Sequence, residues 1–261
     1  MIFNIPITYG NKKKQRLHHV ASEQVVLNNS HIIVELGQSN MSGQSGNTAN
    51  PLFPFPNTHG VFWNGSSETQ LISTRGSAGE GSEATYFADK YFELFGVAPV
   101  MVESASSGTN MLQWGVGSLR NNAQAKISTA LAHYGVASPK ALLWCQGESD
   151  GKYYDTLYTS RLEMKNALQS IVDWWFSLYP NSVFLISETG AYTGASYEVN
   201  LITVREIQQE ICNENTKVYM AFTGAKNFVS QGKMKDSVHY NYIGLKEMGE
   251  AFAVKLNEIN Q

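Results

Sequence analysis

Cysteine is scarce in this chain, because only Cys145 and Cys212 occur among its 261 residues. They lie far apart in different predicted elements, so the sequence predicts no disulfide framework. Neither sign of charge dominates, since 19 basic and 22 acidic residues give a formal net charge of −3. A balance this close to neutral provides no strong attraction for a polyanion, so we expect no nucleic-acid partner.

Long apolar runs and metal-binding patterns are absent as well. No stretch is long and apolar enough to cross a bilayer, so membrane insertion is not expected. The first apolar residues precede the basic run 12–14, unlike the order in a signal peptide, and the compartment stays open between the cytoplasm and an extracellular assembly. Neither a His-Glu-x-x-His pattern nor paired cysteines occur, so we predict no metal and no cofactor.

From residue 31 onward, strand patterns alternate with helix patterns. Five short apolar segments are typical of strands buried on both faces, and segments with helical spacing of apolar residues separate them. The strand segments are 31–36, 98–103, 141–145, 182–187 and 217–222; the helical segments are 82–95, 123–134, 154–179, 199–213 and 242–259. This alternation predicts an α/β fold, a three-layer α/β/α sandwich with a five-stranded parallel sheet of the flavodoxin-like type.

Residues 31–261 fit one domain of this kind. Residues 1–30 fall outside the alternation, and we interpret them as an N-terminal extension of unknown role that could attach the chain to a larger assembly. Segment 44–81 is a long polar insertion. Long loops inside compact domains are often functional, so we expect this one to form a pocket wall.

Distinctive polar residues follow the predicted strands, at the edge where sites form in parallel sheets. Ser39 follows the first strand in the segment GQSNMSG, whose glycines let the chain turn sharply. Its hydroxyl needs a base to become a nucleophile. Asp236 precedes His239 by three residues, a spacing at which the carboxylate can fold back onto the imidazole Nδ1. On this spacing alone, Asp236 could equally cap a turn beside a surface histidine.

Two further loops offer hydrogen-bond donors for a developing negative charge. Gln146 directly follows the third predicted strand, so we expect its uncharged amide in the crevice. The small residues of segment 104–109 follow the second strand and would let a backbone N–H, that of Gly108, approach the same oxygen atom. Both donors are therefore candidates for an oxyanion hole.

The motifs GQSNMSG, SSGT, QGESD and DSVH, in this order, resemble the SGNH hydrolase superfamily and more narrowly its sialate O-acetylesterase-like branch, which includes carbohydrate esterase family six. The resemblance implies a serine esterase that removes O-acetyl groups from a carbohydrate through an acyl-enzyme, without a cofactor. It implies Ser39 as nucleophile, His239 as general base and Asp236 as the residue that orients the base. The N–H groups of Ser39 and Gly108 and the side chain of Gln146 would form the oxyanion hole.

We expect Gln38, Asn40, Glu148 and Trp114 to support the site or to contact the substrate. Glu148 is interpreted as a residue hydrogen-bonded within the site, whereas Trp114 either flanks a sugar ring or packs in the core. Relatives usually have glycine where this chain has Ser107. This departure leaves open which backbone N–H of the loop is the oxyanion donor.

Other chemistries remain open at the level of the sequence. Residues 147–151 read Gly-Glu-Ser-Asp-Gly and formally match the nucleophile elbow of α/β-hydrolases, with Ser149 as nucleophile. Glu148 and Asp150 could form a carboxylate pair as in glycosidases. Cys145 could be a thiol nucleophile, although its apolar strand favours a core position. The alternative functions are a lipase-like or thioesterase activity on the same site and a non-catalytic carbohydrate-binding module.

Overall fold

A computed structural model describes residues 30–43, 59–71, 81–193 and 196–261. Its strands are β1 (His31–Gly37), β2 (Val61–Trp63), β3 (Glu68–Gln70), β4 (Pro99–Glu103), β5 (Ala141–Cys145), β6 (Val183–Ser187) and β7 (Val218–Phe222). They form one sheet in the order β3-β2-β4-β1-β5-β6-β7. Every neighbouring pair is parallel except β2 and β3.

Helices cover both faces of this sheet. They are α1 (Ala84–Phe95), α2 (Met111–Gly115), α3 (Ser118–Tyr134), α4 (Glu148–Lys152), α5 (Tyr154–Leu157), α6 (Arg161–Leu178), α7 (Glu198–Glu214) and α8 (Tyr242–Ile259). One apolar core joins the sheet to α3, α6 and α7, and a second core joins it to α1 and α8. The architecture is therefore a three-layer α/β/α sandwich.

The central strand explains why the chain needs two cores. Along β1, Ile32, Val34 and Leu36 face one core while Ile33 faces the other, and all four are fully buried. Side chains of a strand alternate between the two faces, so a strand covered on both sides is apolar at successive positions. The same burial pattern holds for β5, whose five residues are all buried. These strands were recognisable in the sequence for that reason.

The predicted fold class is confirmed, but the predicted strand count is wrong. All five predicted strands are present, and the sheet has two more, β2 and β3, inside the segment that we interpreted as a polar insertion. Each has three residues, which is too short for a periodic pattern to stand out. Residues 44–58 and 72–80 of that insertion and residues 1–29 lie outside the described residues, so the N-terminal extension and the pocket wall stay predictions.

The predicted helix 154–179 is two helices in the structure, α5 and α6. The break occurs at Ser160, which has an extended backbone and whose side chain accepts a hydrogen bond from the Glu163 N–H. A serine in this position caps a new helix because it satisfies one of the first free N–H groups. In the described part of the chain, no helix is long and apolar enough to cross a membrane.

Three glutamates interrupt the core beside α1. Glu35 on β1 and Glu103 on β4 are register partners, and Glu83 immediately precedes α1. The carboxyl groups of Glu35 and Glu83 lie within hydrogen-bonding reach of each other, and no other side chain among the described residues donates to them. Burial, followed by the charge of Glu83, raises the pKa of Glu35 well above its usual range, and burial raises the pKa of Glu83 to about 7. The pair therefore favours carrying a proton.

Candidate active site

The nucleophile candidate lies on a turn that only glycine permits. Gly37 ends β1 with a φ of 135°, and a Cβ atom there would lie 2.1 Å from the carbonyl oxygen of Cys145. The chain can therefore turn directly beside β5. Ser39 follows at the carboxyl edge of the sheet, and its hydroxyl has no hydrogen-bonding partner among the described residues. The Ser39 hydroxyl is thus free for a substrate or a base.

Asp236 and His239 are in direct contact, as their spacing allowed. Asp236 Oδ2 lies 2.7 Å from His239 Nδ1, while Oδ1 accepts hydrogen bonds from the N–H groups of Val238 at 2.9 Å and His239 at 2.8 Å. Burial alone would raise the pKa of Asp236, but these hydrogen bonds outweigh it and leave the pKa below its usual value. An ionised carboxylate at Nδ1 keeps that nitrogen protonated, so Nε2 of neutral His239 is the proton acceptor.

Asn40 connects the turn that carries Ser39 to the turn that carries Asp236 and His239. Its Oδ1 accepts a hydrogen bond of 3.1 Å from the Tyr240 N–H, and its Nδ2 donates one of 3.3 Å to the Val238 carbonyl. The residue after Ser39 therefore holds the residues on both sides of His239. Within the described structure no hydrogen bond joins His239 to Ser39 itself. In enzymes, the hydrogen bond between a base and a nucleophile is often long without substrate and shortens when substrate binds.

Glu148 stabilises the contact between Asn40 and the turn of His239. It is fully buried, and its Oε1 accepts hydrogen bonds from Asn40 Nδ2 at 3.0 Å and from the Tyr240 hydroxyl at 3.1 Å. Burial raises the pKa of Glu148, and the hydrogen bonds from Asn40 and Tyr240 and the charge of His239 oppose that rise. The predicted position of Glu148, hydrogen-bonded within the site, is the one that the structure has.

Gln146 differs from our expectation. Its amide nitrogen is fully buried and lies 2.6 Å from the Thr109 carbonyl, 2.9 Å from Gln38 Oε1 and 3.0 Å from Asp150 Oδ2. A primary amide has two N–H hydrogens, so these three acceptors already exceed what it can donate. The side chain therefore braces the loops beneath the crevice and leaves no free N–H for an oxyanion. Gln38 joins the same network, because its Oε1 also accepts from the Ser149 N–H at 3.2 Å.

Asp150 completes this buried network. Its Oδ1 accepts hydrogen bonds from the Met111 N–H, at 2.9 Å, and from the Tyr158 hydroxyl, while Oδ2 accepts from Gln146. Burial raises the pKa of Asp150, and these same hydrogen bonds oppose the rise. Because both of its oxygens are engaged and the residue is fully buried, Asp150 cannot pair with Glu148 in glycosidase chemistry.

The loop after β4 is tied to the nucleophile turn. The Ser106 N–H donates to the Gly37 carbonyl at 2.9 Å, and the hydroxyls of Ser42 and Ser107 lie 2.6 Å apart. Gly108 follows at the exposed end of this loop with a φ of 71°. Its N–H and that of Ser39 have no hydrogen-bonding partner in the described part of the chain. Both N–H groups are therefore available as donors.

The chain matches the profile of a known family along most of its length. Residues 29–258 match the family of carbohydrate esterases that is described as sialic acid-specific acetylesterase. The chain belongs to this family. It is a carboxylic ester hydrolase of the carbohydrate O-acetylesterase type, as the sequence motifs implied. None of the curated proteins matches the chain in sequence.

Solved structures share the esterase fold. A protein from Arabidopsis thaliana superposes with a TM-score of 0.66 at 18% identity, over 88% of this chain and 98% of the other. A carbohydrate acetylesterase from Xanthomonas citri gives 0.62 at 15% identity, over 88% of this chain and 57% of the other. A variant of an acetyl-xylooligosaccharide esterase from Geobacillus gives 0.54 at 13% identity, over 88% and 95%. At these identities the likeness establishes a common fold.

Trp114 of the esterase does not face a sugar. Its side chain is fully buried against Trp144, with ring centroids 5.8 Å apart, and its Nε1 donates to the Thr109 hydroxyl at 3.0 Å. The second of the two roles that we considered for Trp114, packing in the core, is the correct one. Its hydrogen bond also fixes Thr109, the residue that follows Gly108.

The alternative nucleophiles fit the esterase structure poorly. Ser149 lies in the first turn of α4, and no non-glycine residue in the described ranges has a positive φ. Ser149 therefore lacks the strained turn that exposes the serine of a nucleophile elbow. Cys145 is fully buried in β5, and burial raises the pKa of its thiol well above the usual value. A protonated, inaccessible thiol is a core residue.

Sequence reasoning missed Tyr240, Thr109 and Tyr158. Each uses a side-chain hydroxyl to fix a site residue: Tyr240 bonds Glu148, Thr109 accepts from Trp114, and Tyr158 bonds Asp150. Only the adjacency of Tyr240 to His239 could have drawn attention to it. The described residues contain no group of three or more His, Cys, Asp or Glu side chains that could hold a metal ion.

Proposed function

We propose that this esterase removes O-acetyl groups from a carbohydrate through a catalytic triad of Ser39, His239 and Asp236. The observation that carries the proposal is the pair of turns at the carboxyl edge of the sheet. Asp236 binds His239 at 2.7 Å, and Asn40 hydrogen-bonds both neighbours of His239 while lying next to Ser39. This arrangement supports Ser39 as nucleophile, His239 as base and Asp236 as the acid that orients the base.

In the first step, the Ser39 Oγ attacks the acetyl carbonyl carbon while His239 Nε2 accepts the hydroxyl proton. Asp236 stabilises the imidazolium that forms and keeps the ring in the orientation that directs Nε2 toward the crevice. The hydrogen bonds that Asp236 receives from the backbone favour its ionised form. It therefore contributes a full negative charge when the positive charge on His239 develops.

The carbonyl oxygen becomes negatively charged in this step and needs donors that are already in place. The N–H groups of Ser39 and Gly108 supply them. Gln146 contributes indirectly, because its amide holds the Thr109 carbonyl at 2.6 Å and so fixes the end of the Gly108 loop. Preformed donors of this kind lower the barrier because they do not have to reorient during the reaction.

Collapse of the tetrahedral intermediate breaks the bond between the acetyl carbon and the sugar oxygen. His239 donates its proton to that oxygen, and the sugar leaves while the acetyl group stays on Ser39. Water then attacks the acyl-enzyme with His239 as base, and acetate is released. No group beyond these side chains and water is required for the balance of atoms and protons.

Relatives support an acetylated carbohydrate as the substrate. The family is described by acetylesterase activity specific for sialic acid, and two proteins of the same fold are named for acetylated carbohydrates. The lipase-like alternative predicts activity that rises with acyl-chain length. A preference for acetate over longer p-nitrophenyl esters therefore supports the proposal, and the reverse preference contradicts it.

The first test is hydrolysis of p-nitrophenyl acetate by the wild type, Ser39→Ala and Ser149→Ala. We expect kcat/KM to fall by about 10³-fold or more in Ser39→Ala, because a nucleophile cannot be replaced by water without losing covalent catalysis. Ser149→Ala is the matched control and should stay within about threefold. A loss confined to Ser149→Ala would transfer the nucleophile to that residue, and an inert wild type would favour a binding module.

A further inference from the structure

The loop after β6 carries Tyr192 and is anchored at its start. Arg205 is buried and donates from Nε to the Thr189 carbonyl at 2.9 Å and from Nη2 to the Gly190 carbonyl at 2.8 Å. Charged donors that hold two successive carbonyl groups fix the backbone more firmly than a neutral contact does. Tyr192 follows two residues later, so its position is determined by the fold.

Thr193, the residue after Tyr192, connects the same loop to the proposed catalytic turn. The Thr193 N–H donates to the Ser237 carbonyl at 2.8 Å, and Ser237 lies between Asp236 and His239. Burial raises the pKa of the Tyr192 hydroxyl, and the charge of Glu148 raises it further. Tyr192 therefore forms part of the rim on the side of the base.

Two more tyrosines and one lysine surround this ring. Tyr197 meets Tyr192 edge-on, with ring centroids 5.2 Å apart. Lys152, at the end of α4, holds its Nζ 5.9 Å from the Tyr192 centroid and 5.1 Å from that of Tyr153. We call Tyr153, Tyr192 and Tyr197 the tyrosine platform.

The ammonium group of Lys152 and the ring of Tyr153 are available to a ligand. Among the described residues, no carboxylate lies within 4.0 Å of Lys152 Nζ, so only the aromatic rings contact this ammonium group. Tyr153 is 48% exposed, so its ring is accessible to a ligand. Aromatic rings joined to a few polar donors are typical of small-molecule sites.

We propose that the tyrosine platform and Lys152 bind the sugar ring of the ester substrate, on the leaving-group side of the scissile bond. This subsite rests on the proposed function. A pyranose has apolar C–H faces that pack on aromatic rings and a rim of oxygen atoms that accept hydrogen bonds from Lys152 Nζ.

The side of the scissile bond follows from the arrangement of donors. The carbonyl oxygen of the acetyl group faces the N–H groups of Ser39 and Gly108, whereas the sugar oxygen must face His239, which protonates it. The platform is joined to the turn of His239 through the bond between Thr193 and Ser237. A ring on the platform therefore continues from the sugar oxygen and not from the acetyl group.

The test compares two kinds of ester in each variant. One is p-nitrophenyl acetate, which has no sugar, and the others are 9-O-acetyl-N-acetylneuraminic acid and an acetylated methyl xyloside. The variants are Tyr192→Ala, Tyr192→Phe and Lys152→Met. Phe92→Ala is the control, because Phe92 is an aromatic side chain 38% exposed near the end of α1, at the opposite edge of the sheet.

For Tyr192→Ala we expect kcat/KM on the better sugar ester to fall about tenfold more than kcat/KM on p-nitrophenyl acetate, mainly through KM. Tyr192→Phe keeps the ring and should retain most of the activity on the sugar ester. Lys152→Met, at an exposed position that tolerates change, should show a smaller loss of the same selectivity. If the ratio between the two kinds of ester stays within about twofold of wild type in Tyr192→Ala, the subsite is refuted.

A binding measurement separates this subsite from the reaction. Ser39→Ala cannot form the acyl-enzyme, so saturation-transfer NMR can detect either sugar ester on the intact chain. Signals that are present with Ser39→Ala and lost with the Ser39→Ala/Tyr192→Ala double variant support the platform, even if the wild type hydrolyses no ester. Equal signals in both variants, or none in either, overturn it. Failure of the proposed function appears separately, as an inert wild type on p-nitrophenyl acetate.

Discussion

The two sides of the crevice are built in different ways. On the side of the nucleophile, Gln146, Glu148 and Asp150 are fully buried, and most of their partners come from other loops. On the side of the base, the Asp236 side chain is 44% exposed and that of His239 is 19% exposed. Among the described residues, the carboxylate binds only groups within three positions of itself. One side depends on the assembled fold, whereas the other is a local turn.

Because of this difference, we expect substitutions on one side to lower stability and substitutions on the other side to lower activity. A buried polar group that loses its partner costs free energy of unfolding, because water cannot replace the lost hydrogen bond. An exposed group that loses its partner is hydrated instead, and the cost is small. Substitutions beneath the nucleophile should therefore unfold the protein, while substitutions in the turn of the base should leave it folded and inactive.

The largest effect is expected for His239→Ala. Its kcat/KM on p-nitrophenyl acetate should fall by about 10³-fold or more, because the proton of Ser39 then has no acceptor. Its melting temperature should stay within about 2 °C of wild type. His133→Ala, with a side chain that is 47% exposed on α3, is the control for removing an imidazole. A lower melting temperature with full activity would mean that His239 supports the fold and not the reaction.

Asp150→Ala tests the buried network on the side of the nucleophile. It leaves the Met111 N–H, the Tyr158 hydroxyl and the Gln146 amide short of an acceptor, so the free energy of unfolding should fall by about 3 to 5 kcal/mol. Urea denaturation measures this. Asp155→Ala, at an exposed position on α5, should change it by less than about 0.5 kcal/mol. Equal stability of the two variants would mean that the buried network does not support the fold.

Asn40→Ala removes the link between the sides and should affect both quantities. Loss of its hydrogen bonds to Val238, Tyr240 and Glu148 should lower the free energy of unfolding by about 1 to 3 kcal/mol. The activity at saturating substrate should fall as well, by about tenfold to a hundredfold, because the turn of His239 is no longer positioned. Reduced stability with unchanged kcat would show that the turn of the base holds itself in place.

The smallest effect concerns the buried pair of Glu35 and Glu83, to which no other side chain in the described part of the chain donates a hydrogen bond. Burial raises the pKa of folded Glu83 from 4.5 to about 7, so the folded protein binds more protons than the unfolded chain between these values. Stability is then greatest below pH 4.5 as far as this group is concerned, and it declines as the pH rises toward 7. In Glu83→Gln the melting temperature should decline less steeply between pH 5 and 8, by about 5 °C.

The control for that pH series is Glu93→Gln, on the exposed part of the same helix. It should reproduce the wild-type dependence of melting temperature on pH. Glu35 and Glu103 remain in Glu83→Gln, so part of the slope should persist. A slope identical to wild type would show that Glu83 is ionised in the folded protein across this range.

What could be predicted from the sequence follows the same division between local and distant contacts. The strands buried on both faces and the contact of Asp236 with His239 depend on residues that are close in the chain, and the spacing of these residues carries the information. The position of Gln146 depends on a hydrogen bond to Thr109, which lies 37 residues earlier. The sequence does not reveal this contact, and for that reason we expected the amide in the crevice. Trp114 could not be assigned because an indole ring suits a core and a sugar site equally well.

With the triad proposed above, the link through Asn40 also determines when the enzyme can first act during its synthesis. Asn40 contacts Val238 and Tyr240 across 198 and 200 positions of the chain, so the nucleophile turn is translated long before its base. At ordinary elongation rates the interval is about 10 to 40 s. During that time Ser39 exists without the histidine that we propose as its base. Esterase activity of a ribosome-bound chain would therefore report that nearly the whole domain has emerged and closed.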